Sequence, residues 1–230
     1  MKTSNIKILF LLLITVFSVS SCSSDDSGES YGVSTGDYFP LAVNNSWKYL
    51  TVSQSLLNEI KITGTTQSGG TTYYDYTDDS EGGTPIPHSF AKNGATYFLK
   101  SGDTSVIESG ITITIKSYQI PILKDDFAIN TSWAGSVSPK VTYSGNGQSG
   151  TLPFKVDYTG VNYFKGAVTL NNITYPNVIK TRINITINAN NQITTAVEEY
   201  WYAENIGVIK DIYTANDVTT IQDIDSYVLN

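Results

Sequence analysis

Carboxylates, one histidine and clustered aromatics are the side chains here whose types and spacing could do chemistry. DYTDDSE puts Asp75, Asp78, Asp79 and Glu81 within seven residues, and oxygen donors at that density could gather around Ca²⁺. The spacing is not that of an EF-hand loop, although Gly82 and Gly83 follow. Asp also favours turns by bonding its own backbone, so a solvated turn is the simpler reading. Glu198 and Glu199 are adjacent; paired acids serve glycoside hydrolysis, but neighbours on a strand point to opposite faces and cannot flank one bond. Either acid would need a distant partner. His88, the single histidine, stands in GTPIPHSFAK beside Pro87, a loop-like setting, and no G-x-S-x-G elbow accompanies it. Tyr73, Tyr74, Tyr76, Tyr200, Trp201 and Tyr202 could form a platform on which sugar rings stack, with apolar faces and polar tips. Strand alternation would instead send half of them into the core.

The positioning elements begin with the address. MKTSNIK carries Lys2 and Lys7, and Ile8 to Phe17 is apolar but for Thr15. Ten residues are too few to span a bilayer, which needs about 20, and suit a signal-peptide core of roughly 7 to 15. Val19, Ser20 and Ser21 then lead into Cys22, the only cysteine. VSSC resembles the lipobox of bacterial lipoproteins, which implies removal of residues 1–21 and acylation of Cys22. With that thiol consumed and no second histidine, a zinc site of thiolates and imidazoles is excluded. Several acyl chains hold a protein stably where one holds it marginally. From Ser23 to Gly36, Ser, Gly and acids fill 11 of 14 positions, too polar to offset the entropy of ordering. Residues 22–36 therefore read as lipidated cysteine and flexible linker. Ser23 and the Asp25-Asp26 pair resemble sorting and export signals of Gram-negative lipoproteins, which implies the outer membrane, facing the periplasm or displayed at the surface.

Removing residues 1–21 takes two of the 14 basic residues and none of the 21 acidic ones, leaving a net charge of −9. That balance, with Arg182 as the single arginine, argues against nucleic acid as a partner. The membrane is expected to be met through the anchor, not through the surface.

Period-two alternation then governs the chain. Ile183, Ile185 and Ile187 alternate with Arg182, Asn184, Thr186 and Asn188; Leu152, Phe154, Val156 and Tyr158 alternate with polar neighbours and Pro153. Half-buried antiparallel strands look like this. Turn clusters separate the runs: SGG at 68–70, NG at 93–94, GNG at 145–147 and NN at 171–172, where Asn and Gly tolerate positive φ. The expectation is an all-β antiparallel barrel or sandwich.

Three segments are echoed in the same order. LAVNNSW (41–47) is answered by FAINTSW (127–133), GTTQSGGTTYYD from Gly64 by GAVTLNNITYPN from Gly166, and SFAKNGATYFLK (89–100) by YWYAENIGVIK. Fixed-order self-similarity suggests internal duplication: two related β-meanders, 37–122 and 123–230, packed as one domain. That reading requires Trp47 and Trp133 to occupy related environments.

DYFPLAVNNSWKY, ITYPNVIK and YWYAENIGVIK resemble recurrent segments of uncharacterised β-rich lipoproteins of Gram-negative bacteria. The resemblance implies an antiparallel β fold in the envelope and transfers no activity. No catalytic residue, cofactor or metal is assigned. The expected role is non-catalytic, binding a protein or glycan through a β-surface; the alternative is a carrier of lipid or another apolar ligand in a barrel-like cavity, which would need a deep interior lined by Ile, Leu and Phe.

Overall fold

In the computed structural model the described residues are 31–52, 56–78 and 88–230; the signal segment, Cys22 and Ser23–Ser30 lie outside them. All regular structure among them is β-strand. The first half comprises β1 (Ser46–Thr51), β2 (Leu56–Ser68), β3 (Thr71–Asp78), β4 (His88–Asn93) and β5 (Thr96–Ser101), then a hairpin of β6 (Thr104–Glu108) and β7 (Ile111–Ile115), then β8 (Tyr118–Lys124). The second half opens with β9 (Ser132–Val137) and a hairpin of β10 (Val141–Gly145) and β11 (Gln148–Leu152). It continues through β12 (Phe154–Leu170), β13 (Ile173–Ala189), β14 (Gln192–Ala203), β15 (Gly207–Ala215) and β16 (Val218–Val228).

Twelve strands form one antiparallel sheet in the order β8-β5-β4-β3-β2-β1-β16-β15-β14-β13-β12-β9. The first strand pairs with the last, from Ser46↔Val228 to Thr51↔Gln222. At the other joint β8 and β9 share no ladder. A clasp holds them instead at one end: Asn162 Nδ2 donates to the Lys124 carbonyl at 2.8 Å, the Asn130 amide to the Asn162 carbonyl at 2.8 Å, and the Trp133 indole to the Pro121 carbonyl at 3.3 Å. Gly160 makes the clasp fit, since a Cβ there would lie 2.2 Å from the Trp133 ring. At the opposite end the two inserted hairpins join through β7 and β10, Ile115↔Val141 to Ile111↔Gly145, into a four-stranded sheet. Barrel, not sandwich, is thus the architecture, nearly closed because antiparallel edges are costly to leave bare. The expected boundary at 122/123 falls inside β8; the chain turns between the halves at 125–131.

The two Ser-Trp corners match in geometry. Asn44 (φ 73°) and Asn130 (φ 66°) hold the left-handed position of turns closed by Asn45 N–H to Ala42 O (3.1 Å) and Thr131 N–H to Ala128 O (3.0 Å). Asn accepts that conformation at modest cost. Both Asn amides donate to the following long strand, at Ile62 O (2.9 Å) and Asn162 O (2.8 Å). Trp47 and Trp133 are both buried, each giving its indole N–H to a backbone carbonyl. The hairpins β2–β3 and β12–β13 both turn through two consecutive positive-φ residues, Gly69-Gly70 and Asn171-Asn172, the geometry that matches strand twist.

The barrel is packed solid at the corner end. Trp47, Tyr97, Ile62, Leu123, Ile179, Tyr202 and Ile209 are fully buried there, and Tyr38 and Phe39 plug the opening, Phe39 packing on Trp47 and Phe90. The segment leading into the plug is bound, contrary to the linker expectation for residues up to 36. Ala95 N–H bonds Tyr31 O (2.7 Å), and buried Asp125 accepts from Ser34 Oγ and the Thr35 amide, both at 2.7 Å. Toward the far end, inward positions such as Ser101, Tyr118, Tyr213, Thr220 and Gln222 keep partial exposure.

Candidate functional site

Alternation along β14 sorts the acids and aromatics. Glu199 and Trp201 face outward: the Glu199 carboxylate accepts from Arg182 Nε (2.8 Å) and the Tyr163 hydroxyl (2.9 Å), while Trp201 lies under Lys180 (3.4 Å to the ring centroid) and Lys210 (5.4 Å). Glu198, Tyr200 and Tyr202 face inward. Register carries the inward face across the next strands: Glu198↔Tyr213 and Tyr200↔Asp211 on β15, then Asp211↔Gln222 on β16. Directly opposed residues of an antiparallel pair share a face, so Glu198 and Asp211 stand diagonally on one inner wall. Asp211, a residue the sequence reading did not single out, is thus the acid on the same wall as Glu198.

Tyrosines surround this pair. Tyr49 donates to the Val208 carbonyl at 2.9 Å; Tyr76 stacks on Phe90 (4.5 Å) and on His88 (5.7 Å). Burial pushes the hydroxyls of Tyr49, Tyr200 and Tyr202 well above the usual phenol range. The nearby carboxylates push further: Asp211 foremost at Tyr49 and Tyr202, Glu198 foremost at Tyr200. Tyr213 is raised by burial and then by Glu198, and on the outer face Tyr163 is raised to about 12, by burial and then by its bond to Glu199.

The sign of the linkage follows. A phenol whose folded pKa is raised keeps its proton in the fold while the unfolded chain releases it, so stability is lost as pH rises above the unfolded value of about 10. Each tyrosine held neutral steepens that loss by about 1.4 kcal/mol per pH unit. Chemical denaturation at a series of alkaline pH values is expected to show this slope, with tyrosinate absorbance at Tyr49, Tyr200 and Tyr202 appearing only as the fold is lost. A flat stability profile through pH 11 would contradict the burial of these hydroxyls.

The structure does not bring the six aromatics of the expected platform onto one surface. Tyr74, Tyr76, Tyr200 and Tyr202 belong to the inner core. Tyr73 is on the outer face, packed with Ala91, Phe98 and Tyr31, donating to Gln119 Oε1 (2.7 Å) beneath Lys100. Trp201 is outside on a strand far around the barrel. The physical reason is the two-residue period: consecutive tyrosines cannot share a face.

Of the calcium candidates, Asp75 faces outward and accepts from Ser89 Oγ and Thr66 Oγ1, each at 2.7 Å; the Asp78 side chain, Asp79 and Glu81 lie outside the described residues. Among the described residues no three His, Cys, Asp or Glu side chains gather as a metal site would require. His88 begins β4, inward, not in a loop. A separate cleft of about 370 Å³ opens at the plugged end, lined by Asp37, Phe39, Leu41, Thr72, Tyr74 and Lys92 among others. Lys92 is spoken for there, bonding the Gly36 carbonyl at 3.0 Å and covering the Tyr97 ring.

These features define a nearly closed, twelve-stranded antiparallel barrel with a plugged end and an inner wall of acids and tyrosines. The fold is shared with a candidate lipoprotein of Parabacteroides distasonis ATCC 8503, which is 13% identical over 84% of this chain and 99% of that one, with a TM-score of 0.50. A candidate exported protein with a YmcC-like fold from Bacteroides fragilis NCTC 9343 is 7% identical over 84% of this chain and 100% of that one, with a TM-score of 0.47. No family profile matches the sequence, and no curated protein does.

Proposed function

We propose that this protein is a lipoprotein anchored to the outer membrane through Cys22 that acts by binding, not by catalysis, and that its partner is a glycan or protein met at the acid- and tyrosine-lined end of the barrel. One observation carries the reading: Tyr31, where the tether joins the fold, lies at the plugged end, against the β4–β5 turn, with its ring on Phe98. Eight residues separate it from Cys22, a reach of at most about 30 Å. On this reading the partner is met at the end of the barrel away from Tyr31. Names given to the two similar structures, lipoprotein and exported protein, agree with an envelope location.

The β-surface in question is the inner wall instead of an outer platform. Its half-buried polar positions are Glu198, Asp211, Tyr213 and Gln222, and Ile183, opposite Glu198 across the β13–β14 ladder, is fully buried among them. Carboxylates and hydroxyls on a wall suit hydroxyl-rich or charged ligands; a lipid carrier wants a deep apolar interior. Two acids on one wall stand on the same side of whatever lies before them, which suits gripping more than attack from two sides of a bond. The test is an array of bacterial envelope glycans probed with the full chain carrying Cys22→Ala, alongside organic extraction of the native lipoprotein. Retention on glycans without extracted lipid is expected. Stoichiometric lipid with no glycan retained would overturn the reading in favour of the carrier.

A further inference from the structure

We propose that the cleft at the plugged end is a second binding site, for a neutral sugar ring, formed where the β3–β4 ladder comes apart. It does not rest on the reading above, whose partner is met at the other end of the barrel.

The cleft exists because two neighbouring strands stop pairing. β3 and β4 are joined only from Tyr76↔His88 to Tyr74↔Phe90. Past that point Thr71–Tyr73 pair with β2 alone and Ala91–Asn93 with β5 alone. On the outer side Tyr73, Ala91 and Phe98 pack together and close the base of this fork. The space left is about 370 Å³, near the lower end of the roughly 300–1,000 Å³ of small-molecule sites. It is open to solvent: the lining residues Gly70 and Asn93 are exposed, and a Cβ on Gly70 would meet nothing within 4 Å. Facing strand edges ordinarily zip together or are covered. Here each side is only three residues long, too short to take up an added strand of about 5–6 residues, so the fork suits a small ring and not an extended peptide.

The lining decides which ring. Phe39, Leu41 and Tyr74 supply apolar surface, on which the C–H face of a sugar can lie. The Thr71 and Tyr74 hydroxyls and the Asn93 side-chain amide make no hydrogen bond to another described residue. Thr72 Oγ1 accepts from Gln67 at 2.8 Å and keeps its own proton to give. Hydroxyls and amides both donate and accept, as sugar hydroxyls do. Charge in the cleft is balanced: Lys92 Nζ stands 3.9 Å from Asp37 Oδ1 and also bonds the Gly36 carbonyl at 3.0 Å. An anion would find the ammonium already engaged, and a cation would find the carboxylate already paired, which leaves neutral ligands favoured. The side-chain contacts of Asp37 fall on Oδ1. Oδ2 remains to accept from a ligand hydroxyl, a charge-assisted bond stronger than a neutral one.

Saturation-transfer NMR and titration of the amide spectrum test this on the full chain carrying Cys22→Ala. Methyl glucoside, methyl galactoside and methyl mannoside are the neutral probes; glucuronate and glucosamine are the charged ones. At least one neutral sugar is expected to bind, about fivefold or more tightly than either charged one, and to shift the amide signals of Thr71, Thr72 and Asn93. Asn93→Ala should weaken that binding about three- to tenfold, as the loss of one or two neutral hydrogen bonds does. Thr71→Trp puts a bulky ring into the fork and should abolish it, while Glu199→Gln, on the outer face of β14, should leave it unchanged. The exposed Asn93 variant keeps the test decisive if the tryptophan variant fails to fold. Binding of none of the sugars overturns the inference. A preference for glucuronate or glucosamine overturns the neutral ligand. Binding that both fork variants keep and Glu198→Gln loses would move the sugar to the acid-lined wall, overturning the fork while supporting the reading given above.

Discussion

Trp47→Ala is expected to cost about 3–5 kcal/mol of folding stability, the range for emptying a large aromatic from a core. Three losses add at this position. The side chain is 0% exposed, so its whole surface returns to water on unfolding. Phe39, 4.8 Å away between ring centroids, loses its support, and with it the plug loosens. The Ile206 carbonyl, which the indole N–H bonds at 2.6 Å, loses that donor. Trp47→Phe should recover most of the packing and keep a deficit of about 1–2 kcal/mol for the unmet carbonyl. Urea unfolding of both variants measures this. An alanine variant within 1 kcal/mol of the parent would show that the plug, not the tryptophan, carries the corner.

Cys22→Ala is expected to shift essentially all of the protein from the membrane fraction to the soluble one. Each buried CH₂ contributes about 0.8 kcal/mol, and a single acyl chain gives only marginal attachment. On the lipoprotein reading, substituting Cys22 removes every chain together. Nothing else should compensate, because the mature net charge of −9 is repelled by anionic lipid headgroups. Fractionation with a carbonate wash reads the outcome, and retention of the variant in the pellet would refute the anchor. Thermal unfolding should be unchanged, since the described barrel is held by contacts among residues 31–230.

The barrel walls were legible because the signal for a strand is local. Arg182 to Asn188 alternates in the sequence and alternates in β13, with Ile183 fully buried and Arg182 paired outside. Turns were legible for the same reason: Asn171-Asn172 and Asn93-Gly94 close hairpins where they were expected. Legibility failed wherever two segments must meet. Asp211 belongs with Glu198 only through the β14–β15 register, and a bulge between Trp201 and Tyr202 shifts that register, which no count along the sequence anticipates. The four-stranded sheet depends on β7 finding β10 at the end opposite the clasp, another non-local pairing. The tyrosine platform was overread from clustering alone, although Tyr73-Tyr74 and Tyr200-Trp201-Tyr202 already implied opposite faces. The Asp125 contacts with Ser34 and Thr35, some 90 residues away, left no trace in the linker-like composition.

We read the matched corners as copies of one six-stranded unit. Sequence order supports this: the three echoes fall on β1 and β9, on the β2–β3 and β12–β13 hairpins, and on the β4–β5 and β14–β15 hairpins. In each half, the echoed strands are the first through fifth strands of the large sheet. The two joints differ, one zipped as β1–β16 and the other clasped at β8–β9.

The zipped joint governs timing. β1 pairs with a strand far along the sequence, β16, so the ladder from Ser46↔Val228 to Thr51↔Gln222 waits for distant residues. Contacts so distant in sequence form slowly, because loop-closure entropy is spent before they repay it. Until then β1 has a vacant edge and the plug has no complete seat. Closure at this joint is therefore set by the longest-range pairing in the large sheet.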